Sequence, residues 1–263
     1  MTPASSERRK QPPFEIKEPY TINVHFLIEN IVEDFRNQYN CLDCENCFDL
    51  SLFNFLSGDE LKVINESRLE VNFKKGEIIY KQGTPITHLV IIHDGLGKTY
   101  IEGPNGRNLI LIYTRNTDLN GGVGLFLDQR HHSSLMAVTD CETCFIDVNS
   151  FRSVYRNNTA FLEDYLRGQS QRNLHILNQF LLLTHKNMEG RMAETLIYMS
   201  DNFFNKGPII NIPKQDFAEL TAMSKESTIR VLKEFKDDGL IKMAKHYIEI
   251  VDREALKSIA NHG

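Results

Sequence analysis

Two rhythms of apolar residues divide this chain and leave it few folds to choose from. From Leu69 to Val148, β-branched and aromatic runs (LEVNF, EIIY, HLVIIH, KTYIE, NLILIY, SLMAV, TCFIDV) alternate with turn signals at Lys75-Gly76, Gln82-Gly83, Asp94-Gly95 and Pro104-Asn105-Gly106. Short runs broken by Gly, Pro and Asn predict an antiparallel sandwich or roll. From Thr159 to about Thr184 the period becomes helical over some 26 residues, which would span about 39 Å at 1.5 Å per residue. Leu162, Leu166, Leu174, Leu177 and Leu181 form a narrow seam on that helix, interrupted by the polar residues Gln169, Ser170 and Asn173. A stripe of this kind predicts self-pairing; packing on the helix's own domain is the alternative.

After the long helix come a helix over about residues 187–205, a short strand over 209–212, helical segments over 214–221 and 224–237, and a Gly-turned hairpin over 240–251. Two helices with a tight link followed by a β-ribbon is the order of a winged helix-turn-helix. Upstream of the roll, residues 23–38 carry apolar positions at helical spacing, and residues 50–66 read as one or two short helices. Residues 1–20 are polar, with Arg8, Arg9 and Lys10 ahead of Pro12 and Pro13, and lack the apolar core of a signal peptide, so a disordered leader and a cytoplasmic location are expected. The expected fold class is therefore α+β, divided into a leader (1–22), a sensor domain (23–158), a dimerisation helix (159–185) and a DNA-binding domain (186–263).

Composition excludes several classes. With 41% hydrophobic and 25% charged residues, the 263-residue chain is neither collagenous nor wholly disordered. No apolar run approaches the roughly 18 residues of a membrane-spanning helix. A net charge of −5 argues against a uniformly basic nucleic-acid binder. From Lys186 onward, however, 12 basic residues balance 12 acidic ones, leaving 18 against 23 upstream, so the deficit lies outside the predicted DNA-binding domain.

Within that domain, Ser224 is a fitting N-cap. At 100° per residue, Thr228, Val231, Leu232 and Phe235 share one face of the following helix, and Glu226, Arg230 and Lys233 share the other. Such a helix can enter a major groove by its N-terminal half. Arg230 can pair with guanine, Glu226 can accept from cytosine, and Ser227 can bond either way. Lys225, Lys233, Lys242 and Lys245 are placed to hold phosphates. An amphipathic surface helix would show the same charges; the preceding "KQDFAELTAM" and the following ribbon favour the DNA reading.

Five cysteines fall into two groups, Cys41, Cys44 and Cys47 in "CLDCENC" and Cys141 and Cys144 in "DCETC". An odd count at close spacing argues for metal or redox work over a disulfide framework. Cys-x2-Cys-x2-Cys is the spacing of the first three ligands in the bacterial ferredoxin run, whose fourth cysteine comes from elsewhere. On an extended strand Cys141 and Cys144 point to opposite faces, so one of them binds unless "DCET" is a turn. A four-thiolate zinc site or thiol-disulfide switching fits the same residues. His131 and His132 are candidate haem ligands, or idle loop histidines. An enzyme or electron carrier built on "CLDCENC" is the competing class, but no phosphate loop, nucleophile elbow or paired catalytic motif accompanies it.

The order of roll, long helix and winged helix, with "KKGEIIYKQG", "IIHDGLGK", "LLLTHKNMEGRMAETLIYMS" and "MSKESTIRVLKEF", resembles the CRP/FNR family of bacterial transcription regulators over about residues 50–259. The resemblance implies a homodimer on two-fold related double-stranded DNA, with RNA polymerase as a further partner. It also implies that Glu226, Ser227 and Arg230 contact bases; Ile229 departs from the serine of the fumarate-and-nitrate-reductase regulator (FNR) type. Cyclic nucleotide, haem and an iron-sulfur cluster serve as effectors in the family. Its cyclic-nucleotide members carry a Gly-Glu-Leu stretch and an Arg-Ser pair where this chain has Gly121-Gly122-Val123 and His132-Ser133. A cyclic phosphate would therefore lack its charge partner. "TCFIDVNSF" and "RHHSS" resemble the FNR type, which implies a 4Fe-4S cluster on Cys41, Cys44, Cys47 and Cys144 that responds to oxygen or nitric oxide. The last gap between the N-terminal cysteines is shorter than in the enteric FNR pattern.

Overall fold

The computed structural model describes residues 51–115 and 119–263. The expected leader, the helix expected over residues 23–38, and Cys41, Cys44 and Cys47 lie outside the described residues.

A short 3-10 turn (Ser51–Phe55) leads into helix α1 (Gly58–Glu66). A capping box starts this helix: Ser57 and Glu60 each bond the other's backbone amide. Eight strands follow: β1 (Arg68–Phe73), β2 (Ile78–Tyr80), β3 (His88–Asp94), β4 (Gly97–Ile101), β5 (Leu109–Thr114), β6 (Leu119–Asn120), β7 (Ser134–Ala137) and β8 (Cys141–Asp147). They form two antiparallel sheets, ordered β1-β8-β3-β6 and β2-β7-β4-β5. The β3–β4 turn needs its glycine. Gly95 sits at φ +97°, and a Cβ there would come within 2.3 Å of the Asp140 carbonyl oxygen.

Period-2 alternation sorts the side chains of this roll. Val90, Ile92, Leu135, Ala137 and Cys141 fill the space between the sheets. Leu89, Ile91, Cys144 and Ile146 point outward from the first sheet, into a second cluster with Phe53, Ile64, Phe151 and Phe161. Both faces of β3 are thus buried, which accounts for its nearly unbroken apolar run.

Helix α2 (Val148–Tyr155) is capped by Asp147, whose carboxylate accepts from the Asn149 and Ser150 amides at 2.8 and 2.9 Å. The expected strand region ends at Val148 and the next expected helix begins at Thr159, so this helix was not anticipated from the sequence. Helix α3 (Thr159–His185) then runs for 27 residues. Only Phe161, Tyr165 and Leu182 of its side chains are buried, while Leu166, Leu174, Leu177, Phe180 and Leu181 are 50–60% exposed. Among the described residues, packing on its own domain therefore does not account for Leu166, Leu174, Leu177 and Leu181 of the seam, while Leu162 is half-buried. The polar break is placed differently from the expectation: Gln169 and Asn173 line a cleft against the roll, and Ser170 donates to the Leu166 carbonyl at 2.8 Å.

The remaining chain forms helix α4 (Met188–Phe203), strand β9 (Ile209–Ile210), helices α5 (Lys214–Thr221) and α6 (Lys225–Asp237), strands β10 (Ile241–Met243) and β11 (Ile248–Ile250), and helix α7 (Arg253–His262). The short strands pair in the order β10-β11-β9. Helix α7 was not anticipated from the sequence; Asp252 caps it, and Leu256 and Ala260 bury its inner face. The outward residues Tyr100, Ile110, Tyr113 and Val138 of the roll join the core of this C-terminal unit.

Candidate functional site

Helices α5 and α6 are joined by a turn whose Ala222 is left-handed at φ 52°, ψ 33°, a conformation costing a non-glycine residue roughly 1–2 kcal/mol. Met223 closes the turn by donating to the Ala218 carbonyl at 3.0 Å. Arg191 of α4 donates to the Thr221 carbonyl at 3.0 Å, so the end of α5 is tied to the scaffold. Ser224 then caps α6, accepting from the Ser227 amide at 3.1 Å and donating to the Ser227 hydroxyl at 3.2 Å. Thr228, Val231, Leu232 and Phe235 are buried against the scaffold.

The opposite face is open. Lys225, Glu226, Arg230 and Lys233 are exposed, and Ser227 is half-buried beside its cap. Arg230 makes two loose contacts, Glu234 at 3.9 Å and the Met188 sulfur at 3.8 Å. Its guanidinium is free to swing toward a base edge. Glu226 is held below the usual carboxylate range, first by its own backbone amide at the helix start and then by the Ser224 hydroxyl, so it stays an acceptor at neutral pH. Ile229 is 46% exposed next to Arg230, available to a thymine methyl. On the ribbon, Lys242 pairs with Glu249 at 3.5 Å, and Lys245 is exposed at the tip. A helix with short polar and forked side chains in front and an apolar anchor behind, flanked by cations on a ribbon, is shaped for a major groove and its phosphates.

Residues 70–158 match a cyclic nucleotide-binding domain, and residues 190–259 match a Crp-like helix-turn-helix domain. Electron transport regulator A of Shewanella oneidensis is 27% identical over 231 residues, covering 85% of this chain and 91% of that protein. The CRP-like cAMP-activated global transcriptional regulator of Mycobacterium tuberculosis is 23% identical over 210 residues, covering 78% and 94%. The chain is a DNA-binding transcription regulator of the CRP/FNR family. The solved structure of a crp/fnr-family regulator from Eubacterium rectale has the same fold, with TM-score 0.72 at 20% identity over 82% of this chain and 99% of that one. FixK2 of Bradyrhizobium japonicum gives 0.64 at 18% identity over 73% and 96%. CRP/FNR relatives regulate transcription rather than catalyse a reaction, and typically dimerise. They include cAMP-activated and electron-transport regulators alike, so they do not single out the FNR type. Among the described residues no helix is long and apolar enough to cross a membrane.

On the effector side, a cleft between the roll and α3 is lined by Tyr80, Thr99, His131, Gln169, Arg172 and Asn173 among others. Gly122 also lies there, directly under Tyr165. A Cβ at Gly122 would stand 2.3 Å from the Tyr165 hydroxyl oxygen. The glutamate that cyclic-nucleotide members carry in this stretch would have to displace the Tyr165 hydroxyl end. The cleft does contain a cation that the sequence reading missed: Arg172 reaches in from α3 and donates to Asn120 at 3.1 Å. His131 is buried at 7% exposure, not idle on the surface, and stacks on Tyr80 with ring centroids 4.0 Å apart. Burial pushes its pKa down to about 4, so it is neutral at physiological pH. His132 is exposed and pairs with Asp128 at 3.0 Å.

The two described cysteines face opposite ways on β8, as the period-2 argument expects, and "DCET" is strand rather than turn. Cys141 is turned between the sheets, where its thiol donates to the Leu96 and Thr139 carbonyls at 3.4 Å. Burial raises its pKa, so it is held as a thiol. Cys144 is buried on the outer face, in the cluster with Phe53 and Ile64. Among the described residues no group of three or more His, Cys, Asp or Glu is placed to hold a metal.

Proposed function

We propose that this regulator senses oxygen or nitric oxide through an iron-sulfur cluster, of the 4Fe-4S kind, held by Cys41, Cys44, Cys47 and Cys144, and that loading of this site controls pairing and DNA binding. The observation that carries the reading is the placement of Cys144. Its side chain lies on the face of β8 covered by Phe53 and Ile64, not inside the roll with Cys141. Cys47 precedes Phe53 by six residues, a tether of at most about 20 Å at 3.3–3.6 Å per residue. Three cysteines within seven residues of sequence are thus within chain reach of a fourth on the sheet, and the all-sulfur donor set suits iron-sulfur chemistry.

A cluster bound there supplies reactivity toward oxygen and nitric oxide. The protein's own part is mechanical. Cys144 belongs to the same cluster as Phe151, Phe161 and Tyr165, so strain at Cys144 reaches the first turns of α3. The bare stripe of α3 then pairs with that of a second copy, and α6 of each subunit is presented to one half of a two-fold site about 34 Å apart. Arg230 and Glu226 read bases, Ser227 and Ile229 lie beside them, and Lys225 and Lys233 hold phosphates. RNA polymerase is the further partner this role requires, and the cytoplasm its place. The Shewanella relative's name, an electron transport regulator, accords with control of redox adaptation.

The test is anaerobic purification with visible absorption and iron and sulfide analysis of three proteins. Wild type and Cys141→Ser should show a brown, air-bleached chromophore, and Cys144→Ser should not. Colourless protein with stoichiometric zinc, or a sharp Soret band, would overturn the assignment.

A further inference from the structure

The roll and the DNA-binding unit meet through a buried charge cluster that the DNA-reading chemistry does not use. Lys98 on β4 and Tyr113 on β5 are cross-strand partners, and both face away from the interior of the roll. Asp216 and Glu219, three apart on α5, present one face of that helix to them. The Lys98 ammonium donates to Asp216 at 2.7 Å and to Glu219 at 3.3 Å. The Tyr113 hydroxyl donates to the second oxygen of Asp216. All four residues are less than 9% exposed.

We infer that this cluster is a latch holding the helix-turn-helix against the roll in an arrangement of low DNA affinity, and that releasing it is part of activation. Around the cluster the seam is apolar, with Tyr100, Ile110 and Val138 of the roll buried in the core of the C-terminal unit. A buried ion pair contributes little stability compared with well-packed apolar residues, so charges set into such a seam point to a role other than holding it shut permanently. A charged contact differs in that each half can rehydrate when the halves part: an ammonium and a phenol on one side, two carboxylates on the other. The cluster holds one cation for two carboxylates, so the seam is also incompletely neutralised. Helix α5 carries α6 through the short Ala222 turn, so the latch sets where the reading helix stands. In the latched state the β4–β5 connection places Arg107 close enough to Glu226 for its charge to act on that carboxyl. Opening the seam releases α5, and α6 moves with it.

Two substitutions with opposite expected signs test this in the full-length chain. The probe is a labelled 30-base-pair duplex bearing the two-fold site that wild type selects from a random pool, and binding is read by anisotropy. If the binding-competent fraction is small, apparent affinity follows that fraction. Lys98→Met leaves two carboxylates without a cation and should tighten binding about tenfold, with faster amide exchange confined to β4, β5 and α5. Glu219→Gln removes the surplus charge and should weaken binding severalfold, with slower exchange there. Tyr113→Phe deletes one hydroxyl and should tighten binding two- to threefold, which keeps the test open should Lys98→Met fail to fold. Weaker or unchanged binding in Lys98→Met or Tyr113→Phe, or tighter binding in Glu219→Gln, would overturn the latch.

Discussion

Leu177→Ala on α3 should weaken self-association while leaving the single chain intact. Leu177 is 57% exposed, so roughly half of its burial remains to be gained. Full burial of a leucine is worth about 1.5–3 kcal/mol, which leaves about 1 kcal/mol for pairing. A two-fold interface uses each residue twice, so the loss is about 2 kcal/mol per dimer, roughly a 30-fold rise in the dimer Kd. On the same reasoning, Leu166, Leu174, Leu177, Phe180 and Leu181 of both copies together supply about 10 kcal/mol, comparable to the roughly 4–15 kcal/mol cost of association. One leucine therefore moves the balance visibly. Sedimentation velocity over a dilution series measures the Kd, and urea unfolding at a concentration where both proteins are monomeric measures the fold. A Kd changed less than threefold, or an equal loss of monomer stability, would show that the stripe packs on its own chain.

Arg230→Ala should leave stability within about 0.5 kcal/mol, because its contacts are loose. It should cost about 1–3 kcal/mol at the selected site and relax one base position in a competition assay; unchanged selectivity would remove Arg230 from the reading face. Ala222→Gly should raise stability by about 0.5–1 kcal/mol in urea unfolding, since glycine removes the left-handed strain at some entropic cost. His131 has its folded pKa lowered to about 4 from an ordinary 6.5. The unfolded chain therefore binds the extra proton between those values, and stability falls as pH drops from about 6.5 to about 4, by at most about 3 kcal/mol. His131→Phe should flatten that part of the stability–pH curve, and an unchanged slope would place its cause elsewhere.

The roll was legible because its turns are marked by residues that the backbone requires, such as Gly95. Its strands carry period-2 patterns that also placed Cys141 and Cys144 on opposite faces. The two faces of α6 were legible because helical periodicity separates Val231 and Leu232 from Arg230 and Lys233. The contacts between distant segments were not. Arg172 and Tyr165 reach the cleft from α3, and a helical pattern alone does not show which polar residue turns toward a neighbouring sheet. Lys98 and Asp216 are 118 residues apart, and in the sequence each reads as an ordinary solvated charge. Helix α2 was hidden because Val148, Phe151 and Val154 continue the apolar texture of the strand before them. His131 looked like a loop residue because its burial comes from stacking on Tyr80, about 50 positions upstream.

The central claim couples a thiolate-held iron site to pairing and DNA binding. The direct measurement compares oxygen-free, iron-loaded protein with the same protein stripped of iron, recording dimer mass by sedimentation and affinity for the selected duplex by anisotropy. A predominantly dimeric loaded form with the higher affinity, and a stripped form that dissociates and binds more weakly, is the predicted result. Identical mass and identical affinity in the two forms would contradict the coupling.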